Sequence, residues 1–335
     1  MRRVVVFAAL GAALVAASAA PAGAFFHRMI VEELYGGHPA SPDAHYVVLR
    51  MTANGQYNVG GQQIRTFFAD GTPGPAFGTF ANNVQTGIAG YKILMATSEA
   101  VRIFGVPADH VTTGRLPFPS GRVCFSLQVE ADCVAYGAYT GNNGEYGQPA
   151  AALEVGKALH RIQYNEAADN NATDFELALP MPIDNSNFTV SPDGDSDLVP
   201  DSTDCAPSDP SLWFAPPLVS VTGVRLSAPD GGAALLTWSS LAASAGSTTV
   251  YDLVGGSVGA LGSAGGYGGV ASCAARGATG SEWVDPALVL EGDGRFWLVR
   301  GRNGCGVGSY GDGSVPPGAP DPRDALDDPA LDPCR

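Results

Sequence analysis

Hydrophobic and polar residues alternate over short runs along the first half of the chain, and turn-forming residues separate these runs. Runs that are rich in β-branched and aromatic residues and bounded by Gly, Pro, Asn or Asp predict β-strands. They cover residues 29–35, 45–51, 63–69, 91–96, 122–129 and 132–137. One other segment, 97–105, predicts a short helix that ends before Gly105. Many short strands without long helices between them predict a β-sandwich and not a parallel α/β sheet.

A second group of strand-like runs follows a segment that is rich in proline and aspartate. Its runs cover residues 233–241, 248–256 and 294–311. Four prolines between residues 207 and 217 mark a stiff connection before it. The sequence therefore predicts an all-β protein with two β-sandwiches, at 25–188 and 218–315, joined by an Asp-rich linker at 189–217 and followed by an irregular tail at 316–335.

The order of motifs in the first half resembles the lamin-tail domain. The motifs are IVEELY, PDAHYVVLRM, QQIRTFFADG, GYKILMAT and RVCFSLQVEADCVAYG, and the resemblance covers roughly residues 27–180. It implies an immunoglobulin-like sandwich of the kind found in nuclear lamins and in exported bacterial proteins, sometimes beside nucleases and other hydrolases. Glu32, Asp43 and Asp132 stand where such domains often carry acids. Acids at strand edges and turns explain these positions equally well.

The second half resembles a fibronectin type III sandwich. Trp238 and Tyr251 stand where that family has core aromatic residues, and residues 297–303 alternate as its later strand does. The family's corner tyrosine is not evident, since Arg295 occupies the neighbouring position. The resemblance implies a second β-sandwich.

Residues 1–24 have the pattern of a secretory signal peptide. Arg2 and Arg3 form a positive start, an apolar run extends to about Ala17, and small residues precede the predicted cleavage before Phe25. A membrane anchor is the alternative, but the run is shorter than the ~20 residues that a spanning helix needs. We therefore predict a secreted protein, extracellular or at the cell surface, with the periplasm as an alternative, and no membrane span after cleavage.

Six cysteines fit an oxidising compartment, and none lies in a C-x-x-C pair of the kind that zinc ribbons and thioredoxin-type sites use. Cys124 and Cys133 lie in adjacent predicted strands joined by a short turn. An antiparallel hairpin can bring two such residues opposite each other, so we predict a disulfide between them.

The other four cysteines allow three pairings, which the sequence does not order. We expect Cys273 to pair with Cys305 inside the second sandwich. Cys205 and Cys334 would then connect the tail to the linker.

Charge and motifs argue against two classes of function. The chain has 18 basic and 33 acidic residues, a net charge of −15, and therefore no basic stripe for nucleic acid. The sequence GGSVG at 255–259 fits G-x-S-x-G around Ser257, but an α/β-hydrolase needs its histidine after the serine, and the last histidine is His160. His38 and His45 could approach across a loop. We predict no catalytic site.

The segment PDGDSDLVPDSTDC at 192–205 carries the spacing of a calcium loop. Counted from the first aspartate, acids occupy positions 1, 3, 5, 9 and 12, and a backbone carbonyl is available at position 7. The predicted ligands are Asp193, Asp195, Asp197, Val199, Asp201 and Asp204. The segment also resembles a thrombospondin type 3 repeat. Leu198 replaces the glycine of the sharp turn, an aspartate replaces the usual glutamate at position 12, and a solvated acidic linker is the alternative.

These predictions combine into a secreted, non-catalytic adhesion or presentation protein of the cell surface, with a joint stiffened by calcium. Its partner would be an extracellular protein or glycan, and no nucleic acid is expected. One alternative is an accessory binding subunit of an extracellular hydrolase, which is suggested only because lamin-tail-like domains sometimes occur beside hydrolases. Another is a metal-dependent hydrolase that uses His38, His45 and nearby acids. The ligand and the oligomeric state stay open.

Overall fold

The structure is a computed structural model that describes residues 28–126, 130–163, 169–217, 221–227, 233–264, 266–286, 294–311 and 323–335. Within these ranges the chain forms 17 β-strands, four short α-helices and one 3₁₀ helix. The predicted all-β class is confirmed. The predicted signal peptide, residues 1–24, lies outside the described residues.

Ten strands precede the linker. They are β1 (Met29–His38), β2 (Ser41–Met51), β3 (Gln63–Phe68), β4 (Gly78–Thr79), β5 (Lys92–Thr97), β6 (His110–Thr112), β7 (Gly121–Ser126), β8 (Glu130–Tyr136), β9 (Ala158–Arg161) and β10 (Phe175–Ala178). Seven strands follow it: β11 (Arg225–Ser227), β12 (Ala234–Thr237), β13 (Val250–Ser257), β14 (Ser272–Ala278), β15 (Glu282–Asp285), β16 (Arg295–Asn303) and β17 (Gly306–Val307). The helices are α1 (Ser98–Phe104), α2 (Asn171–Asp174), α3 (Ala242–Ala245), α4 (Val258–Ala264) and the 3₁₀ helix Asp324–Leu326.

The first ten strands form two sheets that face each other. One sheet has the strand order β10-β9-β1-β2-β5-β6 and the other β4-β3-β7-β8. Leu34 and Val47 from the first sheet share one buried cluster with Val123 and Phe125 from the second. All six strands predicted in this half are present, although residues 127–129 lie outside the described part of the chain.

The outer face of the six-stranded sheet is also covered. Helix α1 lies on it, with Ile103 and Phe104 packed in a cluster that includes Tyr46. The helix ends at Gly105 as predicted, where the backbone has a φ of 65°, and at its other end Thr97 Oγ1 accepts from the Ala100 amide at 3.3 Å. The linker contributes Trp213 and Phe214 to the same cluster. The linker therefore packs against the first sandwich.

The last seven strands form a second pair of facing sheets, with the orders β11-β12-β15 and β14-β13-β16-β17. Leu236, Trp238, Tyr251 and Val299 share their buried cluster. The Trp238 and Tyr251 rings lie 5.2 Å apart. Both residues predicted to be core aromatics are therefore buried together.

The disulfide predicted between Cys124 and Cys133 is confirmed. The two cysteines lie directly opposite each other on β7 and β8, with a Cα–Cα distance of 4.1 Å. Local hairpin geometry was enough to predict it.

The other two predicted disulfides, Cys273–Cys305 and Cys205–Cys334, are wrong. The bonds are Cys205–Cys305 and Cys273–Cys334, with Cα–Cα distances of 5.8 and 4.8 Å. Cys273 lies on β14, at one edge of the four-stranded sheet, and Cys305 lies in the turn before β17, at the other edge. Two strands separate them, so each cysteine pairs with the segment that packs beside its own edge.

The described part of the tail, residues 323–335, is pinned to the second sandwich. Leu326 and Cys334 are buried. Asp332 forms an ion pair with the buried Arg300 of β16. The tail is therefore fixed by both a disulfide and an ion pair.

The longest helices described have seven residues, and none is long and apolar enough to cross a membrane.

Candidate metal centre at the joint

The Asp-rich segment folds into a tight loop around its own carboxylates. Both carboxylate oxygens of Asp193 accept backbone N–H groups, from Ser196 at 2.8 Å and from Leu198 at 2.9 Å. Asp197 accepts from the Val199 amide at 2.8 Å. These carboxylate oxygens thus accept the amide groups that backbone carbonyls would bind in a strand or a helix.

Three carboxylates converge inside this loop. Asp193, Asp195 and Asp197 each offer an oxygen, and these oxygens lie within 4.8 Å of one another, so the group could hold a metal ion. One oxygen of Asp195 and one of Asp197 are shielded from water and have no hydrogen-bond partner among the described residues. Buried anionic oxygens without partners are costly, and a bound cation would offset that cost.

Asp204 supplies a further oxygen of the same kind. Its side chain is only 8% exposed, and its Oδ2 atom lacks a hydrogen-bond partner in the described part of the chain. Its other oxygen accepts the Ala206 amide at 2.8 Å. A nearly buried carboxylate with one unused oxygen fits a metal ligand.

The pKa values of two of these acids are raised. Burial, with a smaller contribution from the charges of Asp195 and other neighbours, raises the pKa of Asp197 to about 6. Burial and the same neighbours also raise the pKa of Asp204. Both shifts mean that the loop disfavours negative charge when it contains no cation.

The other predicted ligands have different surroundings. Asp201 accepts the Gly194 amide at 2.7 Å, which closes the loop across its mouth. Val199 is buried, with 1% of its surface exposed. The structure brings Asp193, Asp195 and Asp197 together, and the roles of Val199 and Asp201 as ligands stay predictions.

The backbone makes the sharp turn without the expected glycine. Leu198, at position 6 of the loop, has a φ of 77°, and Ser196 has a φ of 66°. Non-glycine residues rarely adopt this left-handed conformation. The turn expected from the calcium-loop spacing is therefore present and is strained at Leu198.

His38 fixes this strained turn to the first sandwich. Its Nδ1 atom accepts the Ala40 amide at 3.0 Å, so Nε2 carries the proton and donates to the Leu198 carbonyl at 3.0 Å. Burial lowers the pKa of His38 to about 4, which keeps the ring neutral. Thr203 adds a second tie, since its hydroxyl donates to the Ile103 carbonyl of α1 at 2.5 Å.

A disulfide fixes the other end of the loop to the second sandwich. Cys205 directly follows Asp204 and is bonded to Cys305. Beside this bond, the Asn303 side chain of β16 donates to the Phe214 carbonyl of the linker at 2.8 Å. The Asp-rich loop thus lies between anchors on both sandwiches.

The histidines of the hydrolase alternative do not form a metal site with each other. Both nitrogens of His38 are occupied by backbone groups. His45 is buried with a lowered pKa, caused by burial, and lines a cleft of about 420 Å³ together with His38 and Arg115. Among the described residues, the aspartate triad is the group of three potential ligands found close enough for a metal.

Ser257 has a local structural role. It is the last residue of β13, and its hydroxyl accepts the Ala260 amide at 3.1 Å at the start of α4. This contact is a helix cap. His160 lies in the first sandwich, where it contacts Glu33 at 2.8 Å.

The three acids noted for the lamin-tail resemblance form ion pairs. Glu32 is buried and pairs with Lys92. Asp132 is buried and accepts from Arg161 at 2.9 Å, whereas Asp43 forms an exposed pair with Arg115. These contacts are structural and leave the aspartate loop as the candidate site.

No protein-family model matches this chain, and no curated protein matches it significantly. The chemistry of the site therefore rests on its geometry.

Proposed function

We propose that this protein is a secreted, non-catalytic binding protein of the cell surface in which calcium stiffens the joint between two β-sandwiches. The observation that carries the proposal is the convergence of Asp193, Asp195 and Asp197, together with unpartnered, shielded oxygens on Asp195, Asp197 and Asp204 of the same loop. Such a set consists of hard oxygen ligands, which calcium and magnesium prefer. The calcium-loop spacing of the segment favours calcium.

The role of the ion would be electrostatic and structural. Adjacent carboxylates repel one another, and a divalent cation replaces that repulsion by attraction. The strained turn and the aspartate at position 12 favour modest affinity, in the ~10⁻⁴ to 10⁻³ M range of extracellular modules. That range suits a compartment that contains millimolar calcium.

The anchors of the loop explain why calcium binding would matter for the whole molecule. His38 connects the loop to the first sandwich, and the Cys205–Cys305 bond connects it to the second. Ordering the loop would therefore hold the two sandwiches at a fixed angle. A fixed angle is useful when both domains present surfaces to an extracellular protein or glycan.

Several features support secretion and binding. Three disulfides are compatible with an oxidising compartment. The seven strands of the second half form two facing sheets, which supports the resemblance of this half to a fibronectin type III sandwich. His38 and Ser257 have structural roles, which favours a binding protein over the hydrolase alternative.

Calorimetry with millimolar calcium tests the proposal. Wild-type protein should release or absorb heat on titration, and the Asp195→Asn/Asp197→Asn double variant should not. Asp70→Asn, at an exposed turn of the first sandwich, is the matched control and should behave as wild type. A chelator should expose the segment between Asn187 and Trp213 to protease while both sandwiches stay folded.

Two results would overturn the proposal. The absence of binding heat, together with identical cleavage with and without chelator, would leave a solvated acidic linker. Turnover of any polymer substrate that disappears on His38→Ala or Ser257→Ala would show an enzyme.

A further inference from the structure

An apolar groove opens beside the aspartate loop. Its volume is about 350 Å³. The first sandwich supplies one wall through Phe104 at the end of α1 and residues 179–181 after β10, and the loop supplies the other through Asp193, Leu198 and Pro200. A pocket of this size and lining suits one or two bulky side chains.

Large apolar side chains at the rim of the groove are exposed to water. Leu179 is 69% exposed and Met181 is 50% exposed. Clustered apolar groups of this kind mark interaction sites more often than scattered ones do. The rim therefore offers surface that a bound segment would bury.

The strained residue of the loop contributes to the same groove. Leu198 lines it and also packs closely on Gly156, where an added Cβ would lie 2.7 Å from Leu198 Cδ1. Glycine would make the turn without strain but would remove this wall. Strain at a residue that shapes a pocket is typical of functional sites.

The charge of the groove selects its occupant. Among the described residues that line the groove, Asp193 is the one with a charged side chain, and the chain as a whole has a net charge of −15. The five aspartates of the loop leave a net charge of about −3 when one calcium ion is bound, so the rim stays negative. A positively charged partner is therefore complementary with or without the ion.

We infer that the groove binds a polypeptide segment in which a bulky aliphatic or aromatic side chain is flanked by lysine or arginine. The apolar side chain fills the groove between Leu179 and Leu198, and the flanking cations face the negative charge that the aspartate loop keeps when calcium is bound. Binding requires calcium, because one wall belongs to the loop that calcium orders. The inference rests on the proposed function and names the class of partner for the same joint.

Fluorescence polarisation with three labelled peptides tests this inference. The probe is Gly-Ser-Lys-Leu-Lys-Ser-Gly, and the comparison peptides carry Lys-Ser-Lys and Glu-Leu-Glu at the centre. Wild-type protein with calcium should bind the Lys-Leu-Lys peptide at least about five-fold more tightly than either comparison peptide, and chelation should abolish binding. Leu179→Ser should weaken binding by about five-fold or more and leave calcium affinity unchanged.

Leu331→Ser is the matched control, because Leu331 is 56% exposed and lies in the tail, outside the groove lining. It should bind the probe as wild type does. If calorimetry shows calcium binding but the Lys-Leu-Lys peptide does not bind, binds no better than Lys-Ser-Lys, or is unaffected by Leu179→Ser, the groove inference is wrong and the calcium proposal stands. If calorimetry shows no calcium binding, the proposed function and this inference are both wrong.

Discussion

The left-handed backbone of Leu198 allows a quantitative test of the calcium loop. Its φ of 77° costs a residue with a Cβ atom about 1–2 kcal/mol relative to glycine. Glycine loses about 0.5–1 kcal/mol more backbone entropy when the loop becomes ordered. When the low ends and the high ends of the two ranges are paired, the net advantage of glycine at this position is roughly 0.5–1 kcal/mol, which corresponds to about a two- to five-fold lower Kd for calcium.

The comparison that isolates this effect is Leu198→Gly against Leu198→Ala. Both substitutions remove the leucine side chain and its contact with Gly156, so they differ in the presence of Cβ. Calcium titration by calorimetry should give Leu198→Gly the lower Kd by the two- to five-fold factor. Equal thermal unfolding of the two sandwiches would serve as the folding control. If Leu198→Ala binds calcium as tightly as Leu198→Gly, the left-handed turn does not belong to the calcium-bound loop, and the reasoning fails.

Three further predictions follow from the contacts of the loop. The pKa of Asp197, about 6 against 3.8 for an ordinary aspartate, means that the calcium-free protein loses stability as pH rises through 6. The Tm of the protein in chelator should therefore be higher at pH 5 than at pH 7, and Asp197→Asn should reduce that difference. Calcium affinity should show the opposite trend and fall toward pH 5, because protons compete with calcium for the carboxylates. Replacing Cys205 and Cys305 by serine opens a loop of 100 residues and should lower the free energy of unfolding by up to about 4.7 kcal/mol; an unchanged urea midpoint would contradict this. His38→Ala removes a hydrogen bond worth about 1 kcal/mol and should raise the Kd for calcium about five-fold, whereas an unchanged Kd would show that His38 does not support the loop.

The strands that the sequence predicts are those rich in β-branched, aromatic and other large apolar residues, whereas β14, with seven residues but mostly Ala, Ser, Cys and Gly, was not predicted. Strands β1, β2 and β13 have eight to eleven residues, and most of them are buried. Strands β4 and β17 have two residues each, so no periodicity can reveal them. Helix α1 was predictable because its cap residues, Thr97 and Gly105, are local signals.

The candidate site divides in the same way between local and distant contacts. The spacing of Asp193, Asp195 and Asp197 predicted their convergence, because ligands within one loop depend on local geometry. His38 contacts Leu198 across 160 residues of sequence, and no pattern near either residue indicates this contact. The sequence did not predict the pairing of Cys205 with Cys305 for the same reason. This pairing depends on which edge of a sheet faces the linker, and local sequence carries no signal for that.

The arrangement of the two long-range disulfides determines how the second sandwich responds to mechanical force. If tension acts between the first sandwich and Arg335, the shortest covalent path enters at Cys205, crosses to Cys305 and follows about 30 residues to the pulled end. Without this bond, the shortest path runs through about 70 residues, from Cys205 to Cys273 and across the second bond to Cys334. At about 3.4 Å per extended residue, complete unfolding of the sandwich lengthens this path to about 100 Å, against about 240 Å without the Cys205–Cys305 bond. The bond therefore limits how far the second sandwich can extend under tension, even after it has lost its fold.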